Sequence, residues 1–378
     1  MAVGVPDLPP DIALAVRRQK GALRTLRAEG LVLPLLLLLL MLGTIALDGG
    51  VRTGVALLLA AVPVPLVAAI LIRLDRFEPE PTRLLVRTFL WGAGAATFVA
   101  LVINSVVDAV AGSDVAAIVS APVVEESAKA LALIFVIRRR PGFLDGVHDG
   151  IVYAAWVALG FATVENVLYY VQAGLDGGFG EMTATFALRG LMVPLCHPIF
   201  TAMTGIGLGV AIWRGWGRGG IVAGFAVGLL CAIALHALWN ASGTVGATAA
   251  AYVLGYLPLA AIGIALMVGG ARRERRILRT GLEPEVAAGT ISPAEYDLLV
   301  ARGRARARLR RRARRAGRVA RTLVHQYEAA AYELAHANAV GPRRGRPNRQ
   351  ANADAYRACL VEARRLLLAD APAVLPTG

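Results

Sequence analysis

Long, nearly uncharged apolar runs follow one another from Leu31 to Gly270, and no other feature constrains the fold of this chain as strongly. In lipid a backbone must satisfy its own hydrogen bonds, so each such run is read as a helix. A span needs about 20 apolar residues, with roughly 17 to 25 tolerated. The runs at 31–47, 54–72, 88–110, 115–137, 150–171, 184–212, 219–240 and 247–270 meet that length. The sixth is overlong, which predicts a tilt, a later start or a kink near Pro194 or Pro198. The expected fold class is all-α: a polytopic transmembrane helix bundle of about eight spans with a helical, basic cytoplasmic tail.

Charge is scarce and unevenly placed. Only 17% of the 378 residues are charged and 57% are hydrophobic, whereas soluble domains carry about 25% charge. Three regions follow: a basic cytoplasmic N-terminal segment at 1–30, a transmembrane domain at 31–270 and an Arg-rich cytoplasmic tail at 271–378. Arg17, Arg18, Lys20, Arg24 and Arg27 precede the first span. Arg73, Arg76, Arg83 and Arg87 follow the second, Arg138 to Arg140 the fourth, and Arg214 and Arg218 the sixth. The alternate loops hold only Arg52, unless Arg189 near the start of the sixth span is counted. By the positive-inside rule this is a multi-pass protein of the cell membrane with both termini cytoplasmic.

In such a chain a net charge of +14 points to anionic lipid at the cytoplasmic face rather than to a specific nucleic acid. Residues 293–340 and 350–369 are expected to be helical, separated by the break from Gly341-Pro342 to Pro347. Cys196, Cys231 and Cys359 form no CxxC pair, which argues against a disulfide framework or a cysteine zinc site. The stretch Leu31 to Leu47 lacks a clear small-residue cleavage site, so no cleavable signal peptide is expected.

Against this apolar background the fourth to seventh spans carry costly polar groups. Glu125, Glu126 and Lys129 lie on one face of the fourth, at i, i+1 and i+4. Glu165 and Asn166 lie in the fifth, His197 in the sixth, and His236 and Asn240, four apart, in the seventh. At 1.5 Å per residue, Glu125, Glu165, His197 and His236 fall about 15, 9, 20 and 6 Å from the outer ends of their spans. All lie between the midplane and the outer leaflet, so one cluster is feasible.

Each residue also has a plainer reading. Either carboxylate with Lys129 makes a neutralising pair, a lone histidine an interhelical hydrogen bond, and the asparagines packing contacts. Asp149 reads as a helix N-cap and Cys196 as a small apolar residue. Three glutamates, a lysine, two histidines and two asparagines on four consecutive spans exceed what those readings cover.

At these residues the chain resembles the PrsW family of intramembrane proteases, related to the CAAX-processing and Abi-type membrane endopeptidases. Glu125-Glu126-Ser127-Ala128-Lys129 matches an EExxK motif, and Phe161 to Asn166 an FxxxEN-like segment. His197 stands as the lone histidine of the next span, and His236 to Asn240 as the closing histidine motif. The loop from Asp75 to Pro81 and the Asp149-Gly150 start of the fifth span are similar too. The likeness covers roughly residues 55–245 in the family's motif order, and the tail lies outside it.

The resemblance implies an endopeptidase that cuts a membrane-anchored protein in or near the outer half of the bilayer, with anti-sigma-factor-like regulatory cleavage as one form. It assigns catalysis to Glu125, Glu126, Glu165, His197 and His236, supported by Lys129, Asn166 and Asn240. Glu125 or Glu126 would activate water, and the histidines would stabilise the oxyanion or bind a metal. Asn240 would donate to the carbonyl, Glu165 would orient or ligate, and Lys129 would tune the carboxylates. No HExxH pair occurs. Zn2+ held by His197, His236 and Glu165 and a metal-free carboxylate mechanism both stay open.

Two other classes fit parts of the pattern. A proton- or cation-coupled transporter would use the same buried Glu, Lys and His, although no repeated pair of interrupted helices stands out. A scaffold acting through its basic tail would depend on residues 272–378 and not on the membrane glutamates.

Overall fold

The computed structural model describes residues 29–75, 80–139, 143–144, 146–301, 303–339 and 352–376, whose regular structure is all helical with no strand among them. The N-terminal basic segment up to Ala28, Arg76 to Pro79, Arg140 and the Gly341 to Pro347 break lie outside the described residues. Contacts divide the described residues into two compact units, those up to Ala265 in one and those from Leu266 onward in the other.

The first unit begins with α1 (Glu29–Gly49), α2 (Val51–Ala61) and α3 (Pro63–Leu74). Next come α4 (Thr82–Leu90), a π-helical stretch Trp91–Ala96 and α5 (Thr97–Ala111). A second π-helical stretch, Ala116–Ser120, leads into α6 (Ala121–Arg139). The helix α7 (Val147–Phe186) has a break at Gly178, whose φ of 73° lies in the left-handed region that glycine tolerates. A third π-helical stretch, Ala187–Met192, precedes α8 (Cys196–Trp213), and α9 (Arg218–Thr244) follows.

Among the described residues, five helical stretches are long and apolar enough to cross a membrane: Leu31–Gly49, Val51–Leu74, Thr82–Ala111, Val147–Trp213 and Arg218–Thr244. Thr248–Gly263 is a shorter apolar helix. Helix α6, where the fourth span is expected, is charged by Glu125, Glu126 and Lys129 as well as its terminal arginines. The fifth and sixth expected spans fall within the single stretch Val147–Trp213. The break at Gly178 falls between them, and a second break lies at Val193, which leaves helical backbone at φ −125° and ψ 41°. The cause of the second is Pro194, which disfavours the helical region for the residue before it. Pro198 is accommodated in the first turn of α8, where a missing N–H costs little.

Helix α7 is the axis of the unit. Val152, Tyr153, Ala154, Ala155, Val157 and Ala158 are all buried, as expected for a helix that is apolar around its circumference. Small residues let its neighbours approach: a Cβ on Gly150 would strike the backbone oxygen of Gly205 on α8, and one on Gly205 that of Gly150. Gly92 plays the same part where the first π-helical stretch meets Val157. Asp149 lies in the first turn of α7 rather than at its cap, which is Gly146. There it still faces the positive end of the helix dipole.

The second unit is a folded helical body and not merely a basic extension. The helix α10 (Leu257–Ala287) runs into it, followed by α11 (Pro293–Val300), α12 (Gly303–Ala316), α13 (Arg318–Ala339) and α14 (Ala353–Asp370). The helix expected over 293–340 is therefore three. Gly317, at φ 111°, ends the second of them, and a capping box of Ser292 and Glu295 starts the first. Leu278, Leu282, Tyr327, Leu334, Tyr356 and Leu360 form its core. Buried carboxylates are paired: Arg357 with Glu285 at 2.8 Å, Arg364 with Glu295 at 2.8 Å and Arg310 with Glu328 at 2.8 Å. Burial alone would raise the Glu285 carboxyl, yet bonds from Arg357 and Asn338 hold it below its ordinary value. Burial pushes the Cys359 thiol up to about 11.

Candidate active site

Four elements of the first unit converge on one buried cluster. Glu125, Glu126 and Lys129 come from α6, Glu165 from α7, His197 from α8 and His236 from α9. All are buried, and Glu126 and Lys129 are wholly inaccessible. Trp91 helps to place α6, its indole N–H donating to the Ala128 carbonyl at 2.9 Å. Asn240 ties α9 to the π-helical stretch before α6, donating to the Ala117 carbonyl at 2.8 Å.

The two adjacent carboxylates are held very differently. Glu126 accepts from Lys129 Nζ at 2.8 Å and lies 3.1 Å from His236 Nδ1 through Oε1, while Thr201 Oγ1 donates to its Oε2 at 2.8 Å. Glu125 meets Lys129 at 3.4 Å and faces His236 Nε2 at 3.9 Å, beyond hydrogen-bond reach. Glu126 is thus engaged on both oxygens, and Glu125 is the freer carboxylate. With Glu126 as acceptor, His236 carries its proton on Nδ1, and its Nε2 lone pair is turned toward Glu125.

His197 is held in a comparable way. Its Nε2 lies 2.8 Å from Glu165 Oε2, and its Nδ1 lies 3.1 Å from Lys129 Nζ. Lys129 therefore touches Glu125, Glu126 and His197, and it also sits 3.8 Å above the Phe161 ring. The His197 and His236 rings are 5.1 Å apart and nearly perpendicular, and Phe200 stacks on His236 at 5.2 Å. A buried ammonium persists only when paired, and here carboxylates, an imidazole lone pair and an aromatic face all serve it.

Arg189, which the sequence marks only as an exception to the loop-charge pattern, and Thr201, which it does not mark, join the site. Arg189, in the third π-helical stretch, donates from Nη2 to Glu165 at 2.5 Å and from Nε to Asn166 Oδ1 at 2.9 Å. Its guanidinium lies 3.7 Å over Tyr169. A signal for it existed: it is an arginine inside an apolar run. Thr201 follows His197 by one helical turn and so shares its face. Three carboxylates here meet two permanent cations, leaving one negative charge for a proton or a histidine to balance.

Glu125, His197 and His236 each offer an atom within 4.8 Å of the others, a spacing compatible with a shared metal ion. Imidazole and carboxylate donors with an open position suit zinc, and the second carboxylates on His236 and His197 resemble the partners that orient metal-bound histidines. Glu165, expected to orient or ligate, lies against His197 Nε2 and Arg189.

Residues 80–267 match the model of the "PrsW family intramembrane metalloprotease". The chain is 34% identical over 140 residues to Protease PrsW of Geobacillus kaustophilus, covering 36% of this chain and 58% of that protein. It is 32% identical over 140 residues to Protease PrsW of Bacillus subtilis, covering 36% and 60%. With Protease PrsW of Clostridioides difficile it shares 36% identity over 118 residues, covering 30% and 49%. The chain therefore matches less than two thirds of the length of these curated relatives. No solved structure matches it.

Proposed function

We propose that this chain, which belongs to the PrsW family of intramembrane metalloproteases over residues 80–267, hydrolyses a peptide bond of a membrane-anchored protein. The observation that carries the reading is the convergence of Glu125, Glu126, Lys129, Glu165, His197 and His236, from four elements, on one buried polar centre.

Peptide hydrolysis needs a base for water, a donor to the oxyanion and a proton for the leaving amine. Glu125 has the fewest bonds, so it takes the proton of the attacking water and returns it to the amine. Glu126 orients His236 through Nδ1, placing that histidine to stabilise the oxyanion. Glu165 fixes His197, and Arg189 fixes Glu165. Asn240 is engaged with the Ala117 carbonyl and acts by holding α9 in place. If a divalent ion such as Zn2+ is bound, Glu125, His197 and His236 would hold it, and it would supply a more acidic water and a polarised carbonyl.

In the same reading the chain is multi-pass, with both termini cytoplasmic and the cluster in the outer half of the bilayer. The bond between Arg189 and Glu165 explains the arginine that breaks the positive-inside pattern. Exposed Arg308, Arg311, Arg312, Arg314 and Arg315 on α12 lie on anionic lipid, at about 1 kcal/mol each. The substrate class is a membrane-anchored regulatory protein, of which an anti-sigma factor is one example.

The test is a comparison of membrane proteomes from cells carrying the wild-type chain and Glu125→Gln. A cleavage fragment should vanish in the variant while the protein accumulates normally. Identical fragment patterns at equal protein levels would overturn the assignment.

A further inference from the structure

Two of the three residues placed to share a metal ion are already in contact with a cation of the chain's own. Lys129 Nζ lies 3.1 Å from His197 Nδ1 and 3.4 Å from Glu125 Oε2, so it touches two of the three. The arrangement leaves His197 one nitrogen to offer, because its Nε2 is taken by Glu165 at 2.8 Å. The lone pair on Nδ1 is the one that a metal would need, and it is the one that the ammonium meets.

We propose that Lys129 is a resident cation that competes with divalent metal for this site, so that zinc enters only as the ammonium withdraws from His197 and Glu125. The competition has two physical parts. An imidazole nitrogen has a single lone pair and serves either the ammonium or a metal. A divalent ion beside a buried ammonium would also meet a like charge where little water screens it.

The position of Lys129 is fixed by more than the shared donors. Its 2.8 Å bond to Glu126 and its seat over the Phe161 ring hold it as well, and neither group belongs to the metal-compatible set. Substituting Lys129 therefore frees Nδ1 of His197 and Oε2 of Glu125 together. It also leaves Glu126 and His236 in contact, so the second carboxylate still orients the histidine.

The inference concerns the cluster read above as a protease centre, but its test involves no cleavage. Full-length protein without a histidine tag, in detergent micelles, is titrated with zinc against a chromophoric chelator. Bound zinc per chain is counted by elemental analysis. Lys129→Met and Lys129→Gln should bind zinc about 10- to 100-fold more tightly than the wild type, the range over which groups contacting metal ligands alter affinity. Adding Glu125→Gln to either variant should abolish the gain, which separates this site from adventitious binding at Cys196, Cys231 or Cys359. Equal affinities in the wild type and both lysine variants would overturn the proposal. So would a wild-type protein that retains one tightly held zinc per chain, lost on Glu125→Gln. The wild-type measurement stands even if neither lysine variant folds: weak, substoichiometric zinc supports the competition and stoichiometric zinc refutes it. A failed proteome comparison with unequal zinc affinities would sink the protease reading and leave this one intact.

Discussion

Arg189→Met should damage both stability and turnover, because the guanidinium serves two neighbours on α7 at once. It donates to Glu165 at 2.5 Å and to Asn166 at 2.9 Å, and it lies 3.7 Å over the Tyr169 ring. A hydrogen bond to a charged group contributes about 1.5–3 kcal/mol and a neutral one about 1 kcal/mol, and a cation–π contact adds about 0.5–2 kcal/mol. The arginine side chain is 22% exposed, so water offsets part of each contribution and the low ends apply. The expected loss is then about 3 kcal/mol, or roughly a hundredfold in the folded-to-unfolded ratio. Turnover should fall by a further 10- to 100-fold or so, because Glu165 without Arg189 no longer holds His197 in one orientation. Arg189→Lys keeps the charge but loses the planar fork, so it pairs with Glu165 or Asn166 and not both, and should fall between. Stability is read by unfolding in mixed micelles of rising SDS fraction, and turnover on the fragment-yielding substrate. A methionine variant as stable and active as the wild type, or a lysine variant indistinguishable from methionine, would refute this account.

Three further outcomes follow from the same contacts. Glu126→Gln should destabilise the protein by about 3–5 kcal/mol, because a fully buried charged pair loses one partner, whereas Glu125→Gln should abolish cleavage with a smaller effect; equal SDS-unfolding midpoints would contradict that division. Gly205→Val should force α8 away from Gly150 and separate His197 from Glu165, costing about 1–3 kcal/mol or more; full cleavage activity in that variant would show that the close approach is unnecessary. In the second unit, burial works against the Glu285 charge but Arg357 and Asn338 outweigh it, so its folded pKa lies below its unfolded one. Its contribution is therefore present above the unfolded value of 4.5 and is lost as pH falls through the folded value. Amide protection factors over 281–289, corrected for intrinsic exchange, should fall with acid in the wild type, and Arg357→Ala should show low protection already at neutral pH.

Much of this molecule was legible in its residue order. The apolar runs announce helices because lipid allows a backbone few alternatives, and Pro194 marks the break before α8 for a reason contained in its own ring. The i, i+1, i+4 spacing puts Glu125, Glu126 and Lys129 on one face whatever surrounds them. Periodicity within a helix is a local property, and these features are local.

What residue order left open concerns which helix face meets which other face. Both glutamates of the EExxK segment read alike in the sequence, and packing alone separates them: Thr201 and His236 reach Glu126 within hydrogen-bond distance and leave Glu125 with longer contacts only. The role of Arg189 depends on a π-helical turn and on the glycine contacts that draw α7 and α8 together, 24 residues apart in the chain from Glu165 to Arg189. The tail's arginines look alike on paper, yet some pair with Glu285, Glu295 and Glu328 in a compact core while Arg311, Arg312, Arg314 and Arg315 stay exposed. Partner choice across helices depends on distances of a few ångström set by side-chain volume and close packing. No spacing rule along a single helix contains that information.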